Sequence, residues 1–221
     1  MTKSNHYGVV YNNNMRIITD ISELECDMPT AITVGNFDGV HLGHQQLIKT
    51  TKQRAKENNL LTTVVTFDIH PHQYFFPTGN HLQILDPETK ISFLKKYGVD
   101  LCVVLPFSQI YNLDFESFVG DVLIAKLNMK YLVEGSDFHF GRDTNGNIEE
   151  LKLLSKTHNF GLDIIERFSQ SGIEASSTFI RKCISKGEYK LAEKILGHRY
   201  FPKNSKVAPP PIDTNVKLAR V

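Results

Sequence analysis

Ala31-Ile32-Thr33-Val34-Gly35-Asn36-Phe37-Asp38-Gly39-Val40-His41-Leu42-Gly43-His44 is the stretch whose reading decides the fold. Uncharged, largely β-branched residues up to Val34 predict a buried strand that stops at Gly35, and a polar, helix-compatible segment begins at Gln45. The reading is strand, glycine-bearing turn, helix start. Glycines at 35, 39 and 43 let backbone approach a ligand closely, and the first turn of the helix offers unpaired N–H groups with a positive dipole end, which suits a phosphate. His41 and His44, three apart, can face one site. Two imidazoles at that spacing could bind a metal or donate hydrogen bonds to phosphate oxygens. A lone histidine or glycine here would more often be structural, and a bare glycine-rich turn is a weak signal.

Composition narrows the partners. At 221 residues the chain holds one large domain, or one domain with an insertion, and buries a proper core. With 25 Lys plus Arg against 24 Asp plus Glu, no bulk field draws it to nucleic acid or to an acidic membrane. Cys26, Cys102 and Cys183 are scattered and form no CxxC pair, which argues for reduced thiols in a cytoplasmic protein. The polar start at 1–14 has no apolar signal core, and no apolar run approaches the roughly 18 residues of a membrane helix.

Outward from the first stretch, strands and helices alternate. Gln45 to Asn58 predicts a helix with Leu47, Ile48, Thr51 and Ala55 on one side, and Leu60 to Phe67 a second buried strand, closing a right-handed βαβ unit. Asp68-Ile69-His70-Pro71-His72 follows at the carboxyl end of that strand, where open α/β sheets place ligand loops. Residues 73–86 read as irregular, Pro87 opens a helix, Asp100 to Pro106 is a third strand, and Asp114 caps a helix carrying Phe115, Phe118, Val119 and Val122. Lys130 to Glu134 is a fourth strand and runs into a glycine-rich, aromatic loop at 135–146; a helix at 148–158 and a fifth strand at 162–167 follow. Ser176-Ser177-Thr178 then precede a helical pattern. Serines there are ordinary caps, yet hydroxyls and free N–H groups at a helix start, with Arg181 on its first turn, also make a phosphate trap. Residues 1–30 read as an arm or an extra strand.

Five motifs carry a family resemblance. Gly35-Asn36-Phe37-Asp38-Gly39-Val40-His41-Leu42-Gly43-His44 resembles the HxGH segment of nucleotidyltransferases, in the long form of the FMN adenylyltransferase (FAD synthetase) half of bacterial riboflavin kinase/FAD synthetases. Ser176-Ser177-Thr178-Phe179-Ile180-Arg181 is similar to the superfamily's Ser-Ser-Thr-x-x-Arg, and Val133 to Gly146 to the FMN adenylyltransferase family's own Val-x-Gly-x-Asp/Asn-Phe-x-Phe-Gly-x-x-x-x-Gly. Thr66 to Pro71 resembles Thr-Phe-x-Pro-His-Pro with Ile69 in place of a proline, and Leu196 to Tyr200 resembles Leu-Gly-Arg-x-Tyr with His198 in place of the arginine. The resemblance covers about 31–200.

It implies an α/β fold, a Rossmann-like doubly wound parallel sheet of the nucleotidyltransferase type. The implied reaction is FMN + ATP → FAD + pyrophosphate, with His41, His44 and Arg181 catalytic. ATP is expected at Gly35, Asn36, Phe37, Gly39, Gly43, Ser176, Ser177 and Thr178, and FMN at His70, Pro71, Phe75, Asp137 and Phe140. Mg²⁺ would bridge the phosphates, since that ion prefers phosphate oxygens and water to a dedicated protein cage, while the histidines as zinc ligands are a weaker reading because no third ligand is suitably spaced. The tail at 201–221 leaves no room for a riboflavin kinase barrel, so the expectation is an adenylyltransferase fed with FMN by a separate riboflavin kinase. The rivals are a related nucleotidyltransferase with another acceptor, and a non-catalytic flavin or nucleotide binder.

Overall fold

The computed structural model describes residues 10–12, 15–20, 24, 26–79, 81–142 and 146–200. The expected tail at 201–221, most of the first thirty residues' loops and the tip of the aromatic loop at 143–145 lie outside them.

The strands are β1 (Val10–Asn12), β2 (Met15–Ile18), β3 (Thr30–Val34), β4 (Leu61–Phe67), β5 (Leu101–Leu105), β6 (Met129–Gly135) and β7 (Gly161–Ile165), in the spatial order β1-β2-β5-β4-β3-β6-β7. From β2 to β7 all neighbours are parallel, and only β1 is antiparallel. The segment read as an arm or extra strand thus contributes β2, paired with β5. β3 and β5 are buried at every position, as strands covered on both faces must be.

Helices cover both faces. On one side lie α1 (Leu42–Asn58), α3 (Pro87–Lys96), α7 (Ser177–Ser185) and α8 (Tyr189–Leu196), which bury Ile48, Leu94, Ile180 and Ile195 against Val64, Cys102 and Val104. The other side carries α5 (Phe115–Ser117) continuing into a π-helix (Phe118–Lys126), and α6 (Ile148–His158), burying Phe118, Val122 and Leu151 against Leu101, Val103 and Leu105. Alternate residues of β5 enter opposite cores, which is the period-two signature of a strand inside a sandwich of helices. Short helices α2 (Pro71–Phe75) and α4 (Phe107–Ile110) follow β4 and β5. The stretch 73–86 is therefore less irregular than the sequence suggests, because Pro71 sits at the first helical position and the His70 ring accepts a cap bond.

The chain winds β3-α1-β4-α3-β5 outward on one face, then crosses to β6 and winds β7 outward on the other. The direction reverses between β3 and β6. Ligands of open α/β sheets bind outside the carboxyl ends at such a switch point. Among the described residues no helix is long and apolar enough to cross a membrane.

Candidate active site

The turn after β3 is held in a conformation that its residues do not favour. Phe37 and Val40 have φ of 49° and 39°, and Gly39, at 89°, lies between them. Positive φ at an aromatic and a β-branched residue costs on the order of 1–3 kcal/mol each and persists only where the surroundings over-determine it. They do so carbonyl by carbonyl. Asn36 O accepts from Thr66 Oγ1 at 3.2 Å and Lys90 Nζ at 3.3 Å, Asp38 O from Ser177 Oγ at 2.8 Å, and Val40 O from Gln45 Nε2 at 2.8 Å. Gly39 O meets His198 Nε2 at 2.8 Å. The buried Asp38 carboxylate accepts from Ile84 N and Leu85 N and pairs with Arg181 Nη2 at 2.7 Å.

This clamp delivers α1. His41 is its N-cap: Nδ1 accepts the His44 amide at 3.3 Å, and the amides of Leu42 and Gly43 are left as the helix's open donors. The helix begins at Leu42, three residues before the helix-compatible segment that the sequence suggests, because the His41 side chain supplies the cap. Gly43 lets the two sides meet, since a Cβ there would sit 3.2 Å from the His41 ring and 3.5 Å from Ala175 O. The rings of His41 and His44 stack at 3.6 Å and 16°. His41 is 6% exposed. Burial, with Arg181 nearby, pushes its imidazole down to about 4, and burial with His41 beside it pushes His44 down as well. Both rings are neutral at pH 7. With His41 Nδ1 accepting, its proton resides on Nε2, and His44 Nδ1 is buried without a protein partner.

Beside this helix start lies a cavity of about 760 Å³ at the switch point, within the range of sites for cofactor-sized ligands. Gly35, Asn36, Phe37, His41, Gly43 and His44 line it from the first motif, Ser176 and Ser177 from the start of α7, and Pro71, Phe75, Asp137 and Phe140 from the other two loops. Gly39, His70, Thr178 and Arg181 stand off its wall. Gly39 is buried in the clamp, Thr178 is exposed, His70 meets the His81 ring at a tilt with centroids 4.1 Å apart, and Arg181 is engaged with Asp38 and Leu82 O. Phe75 is 56% exposed and meets Phe107 edge-on at 6.0 Å. Phe140 is 7% exposed behind Phe138, which stacks on it at 5.2 Å and 16°. Asp137 pairs with Arg167 at 2.9 Å, a half-exposed contact of small energetic weight.

Several residues at the site gave little or no signal in the sequence. Phe138 presents the more open ring of its pair. Lys90, on α3, donates to Asn36 O, Thr66 Oγ1 and Phe67 O, and burial lowers its ammonium. Arg167 and Glu174 join the cavity through a hairpin, β8 (Ser169–Gln170) and β9 (Ile173–Glu174), turned at Ser171-Gly172 with both φ positive. That Ser-Gly pair was the available signal. At the two departures from the motifs, Ile69 donates its N–H to Asp68 Oδ1 at 2.7 Å, a bond no proline makes, and the His198 ring stacks on Phe93 at 4.1 Å while reaching Gly39 O.

The depressed His41 value sets a pH dependence. Above pH 6.5 both the folded and unfolded chain carry this imidazole neutral. Between 6.5 and about 4 the unfolded chain takes up the proton and the folded one does not, so stability is lost as pH falls, by about 3 kcal/mol for this group. Denaturant titrations at pH 7.5, 6 and 5 should show that loss in the parent and a smaller one in His41→Asn; parallel curves would remove the assignment.

A family profile described as FAD synthetase matches residues 23–179. The bifunctional riboflavin kinase/FMN adenylyltransferase of Buchnera aphidicola subsp. Schizaphis graminum is 34% identical over 84% of this chain and 61% of its own length. The Escherichia coli K12 protein of the same name is 29% identical over 76% and 54%. The chain thus spans about three-fifths of the length of the curated relatives it matches. A crystal structure of a macrolide-efflux protein from Streptococcus pneumoniae superposes with a TM-score of 0.74 at 29% identity, covering 83% of this chain and 62% of that one. Pantoate-β-alanine ligase from Francisella tularensis, with a TM-score of 0.51 at 16% identity over 83% of this chain and 78% of its own, shares the fold. With a family match over residues 23–179, more than half of its length, this chain belongs to the FAD synthetase family.

Proposed function

We propose that the chain is an FMN adenylyltransferase. An FMN phosphate oxygen attacks the α-phosphorus of ATP, the new P–O bond forms as the bond to the bridging α,β-oxygen breaks, and pyrophosphate leaves with that electron pair. The FMN phosphate is itself the nucleophile, so the protein's part is positioning and charge stabilisation. The observation that carries the reading is one cavity lined at once by the neutral histidine pair, by the start of α7 and by aromatic rings.

In this reading His41 Nε2–H and the amides of Leu42 and Gly43 face the charge that grows on the α-phosphoryl group. Ser176, at the start of α7, faces the outer phosphates, while Ser177 and Arg181 act through the clamp on Asp38. Phe138, Phe140 and Phe75 offer faces to a flat isoalloxazine. Among the described residues no group of three or more His, Cys, Asp or Glu could hold a metal. Mg²⁺ would accordingly ride on the nucleotide's phosphates, where it would neutralise charge.

FMN, and not riboflavin, is the acceptor, because the reaction needs a phosphate nucleophile. Incubating the purified chain with ATP and Mg²⁺ should yield FAD from FMN and none from riboflavin, read by chromatography. No FAD from a folded sample supplied with FMN would overturn the reading.

A further inference from the structure

Where β3 and β6 part, one side chain spans the gap. The β3–β6 ladder pairs Thr30 with Met129 through Ile32 with Leu132 and ends there. Beyond it Val34 N–H would point into the crevice unpaired, and Glu134 Oε1 accepts it at 2.7 Å. Glu134 is 1% exposed and lines the cavity. Among the described residues no cation forms an ion pair with it. The charged and titratable groups on the same cavity are His41 and His44 of α1, Tyr111 after α4, Asp137 and His139 after β6, Glu166 and Arg167 after β7, and Glu174 of β9; His139 is exposed, with its ring on Asp137 O at 2.8 Å. Arg167, the cation among them, is engaged by Asp137 and Glu174. An ionised carboxylate enclosed here would have one hydrogen bond and no counter-charge, an arrangement that proteins relieve by neutralising the group.

We propose that Glu134 is a positioning residue that works as a neutral carboxylic acid, closing the β3–β6 crevice with one oxygen and donating an O–H hydrogen bond from the other to bound ATP. The inference rests on the adenylyl-transfer reading for its ligand. Burial, reinforced by Asp137, drives the carboxyl well above the usual carboxylate range, in agreement with the geometry. The charge state matters because ATP brings a polyanion to a crevice that already holds Asp137 and Glu166. A neutral acid adds a donor there; a carboxylate adds repulsion. The ordinary sequence signal is slight: one acidic residue at the end of the apolar run Tyr131-Leu132-Val133.

The test uses the full chain. Infrared difference spectra at pH 7 between parent and Glu134→Gln should contain a protonated-carboxyl C=O band that belongs to Glu134. That band should shift when α,β-methylene-ATP binds and stay put with FMN alone. In turnover, Glu134→Ala should raise the ATP KM about tenfold, the worth of one hydrogen bond, with a smaller change in kcat. Glu134→Gln should recover most of that loss and lack the alkaline rise of KM expected of the parent as its carboxyl ionises. Absence of the band, or a glutamine variant no better than alanine, overturns the neutral acid; a band that the analogue leaves unmoved overturns the contact with ATP. If the analogue shifts the band but the parent makes no FAD, the adenylyl-transfer reading fails and Glu134's role as a neutral donor to the nucleotide stands.

Discussion

His41→Asn should leave the protein folded and cut FAD formation by about 10²–10³-fold, mostly in kcat. The substitution separates the two tasks of this side chain. As N-cap it accepts the His44 amide, and asparagine is among the best residues for that task, so thermal stability should hold to within about 1 kcal/mol. As a donor it presents Nε2–H, and the shorter amide cannot reproduce the position of that proton. The ring is neutral at working pH, so it gains little from the ground-state phosphates and more from the charge that develops in transfer, which places the loss in kcat rather than in KM. His41→Ala should lose the same turnover and in addition about 1 kcal/mol of stability. Steady-state rates against ATP, paired with melting curves, decide it: an asparagine variant with parental turnover would remove His41 from the chemistry.

What was legible in the sequence was whatever a local pattern dictates. β3, β4, β5 and β6 are short runs rich in apolar and β-branched residues, and their expected ranges lie within a residue or two of the strands; Asp114, whose side chain accepts from Ser117 N, begins a helix as its residue type requires. The helix after it opens into π geometry, Leu127 N reaching Val122 O, which no periodicity announces. The candidate site divides in the same way. Residues in the motif strings could be named, but their partners are far off in the chain: Asp38 with Arg181, Asn36 with Lys90, Gly39 with His198. Contacts across 143, 54 and 159 positions are made by topology and leave no mark on spacing. Glu134 is the sharpest case, because its role follows from the crevice between two strands that adjoin only in the folded sheet.

Arg181→Ala should cost about 3 kcal/mol or more of stability together with ATP use, and Asp38→Ala should cost more still. The reading by motif alone ties Arg181 to the nucleotide and expects ATP use to suffer chiefly. In the fold its fork spans Asp38 Oδ2 and Leu82 O, with the arginine side chain 19% and the aspartate 8% exposed. Removing the guanidinium leaves a buried carboxylate with two backbone amides for company. Removing the carboxylate strands a buried cation and also the amides of Ile84 and Leu85, which is why the larger loss falls there. Either change also releases the turn in which Phe37 and Val40 hold positive φ, so His41 and the open amides of α1 lose their fixed positions, and turnover falls with stability. Arg181→Lys should recover only part of either, since one ammonium does not reproduce the fork. The double variant Asp38→Ala/Arg181→Ala should be less unstable than the sum of the singles, by roughly 1–3 kcal/mol of coupling. Denaturant titrations of the four proteins, with ATP KM and kcat measured on each, test the set. A parental melting point and ATP KM in Arg181→Ala would show that the turn is held without it; additive singles would show that the two groups do not act as a pair.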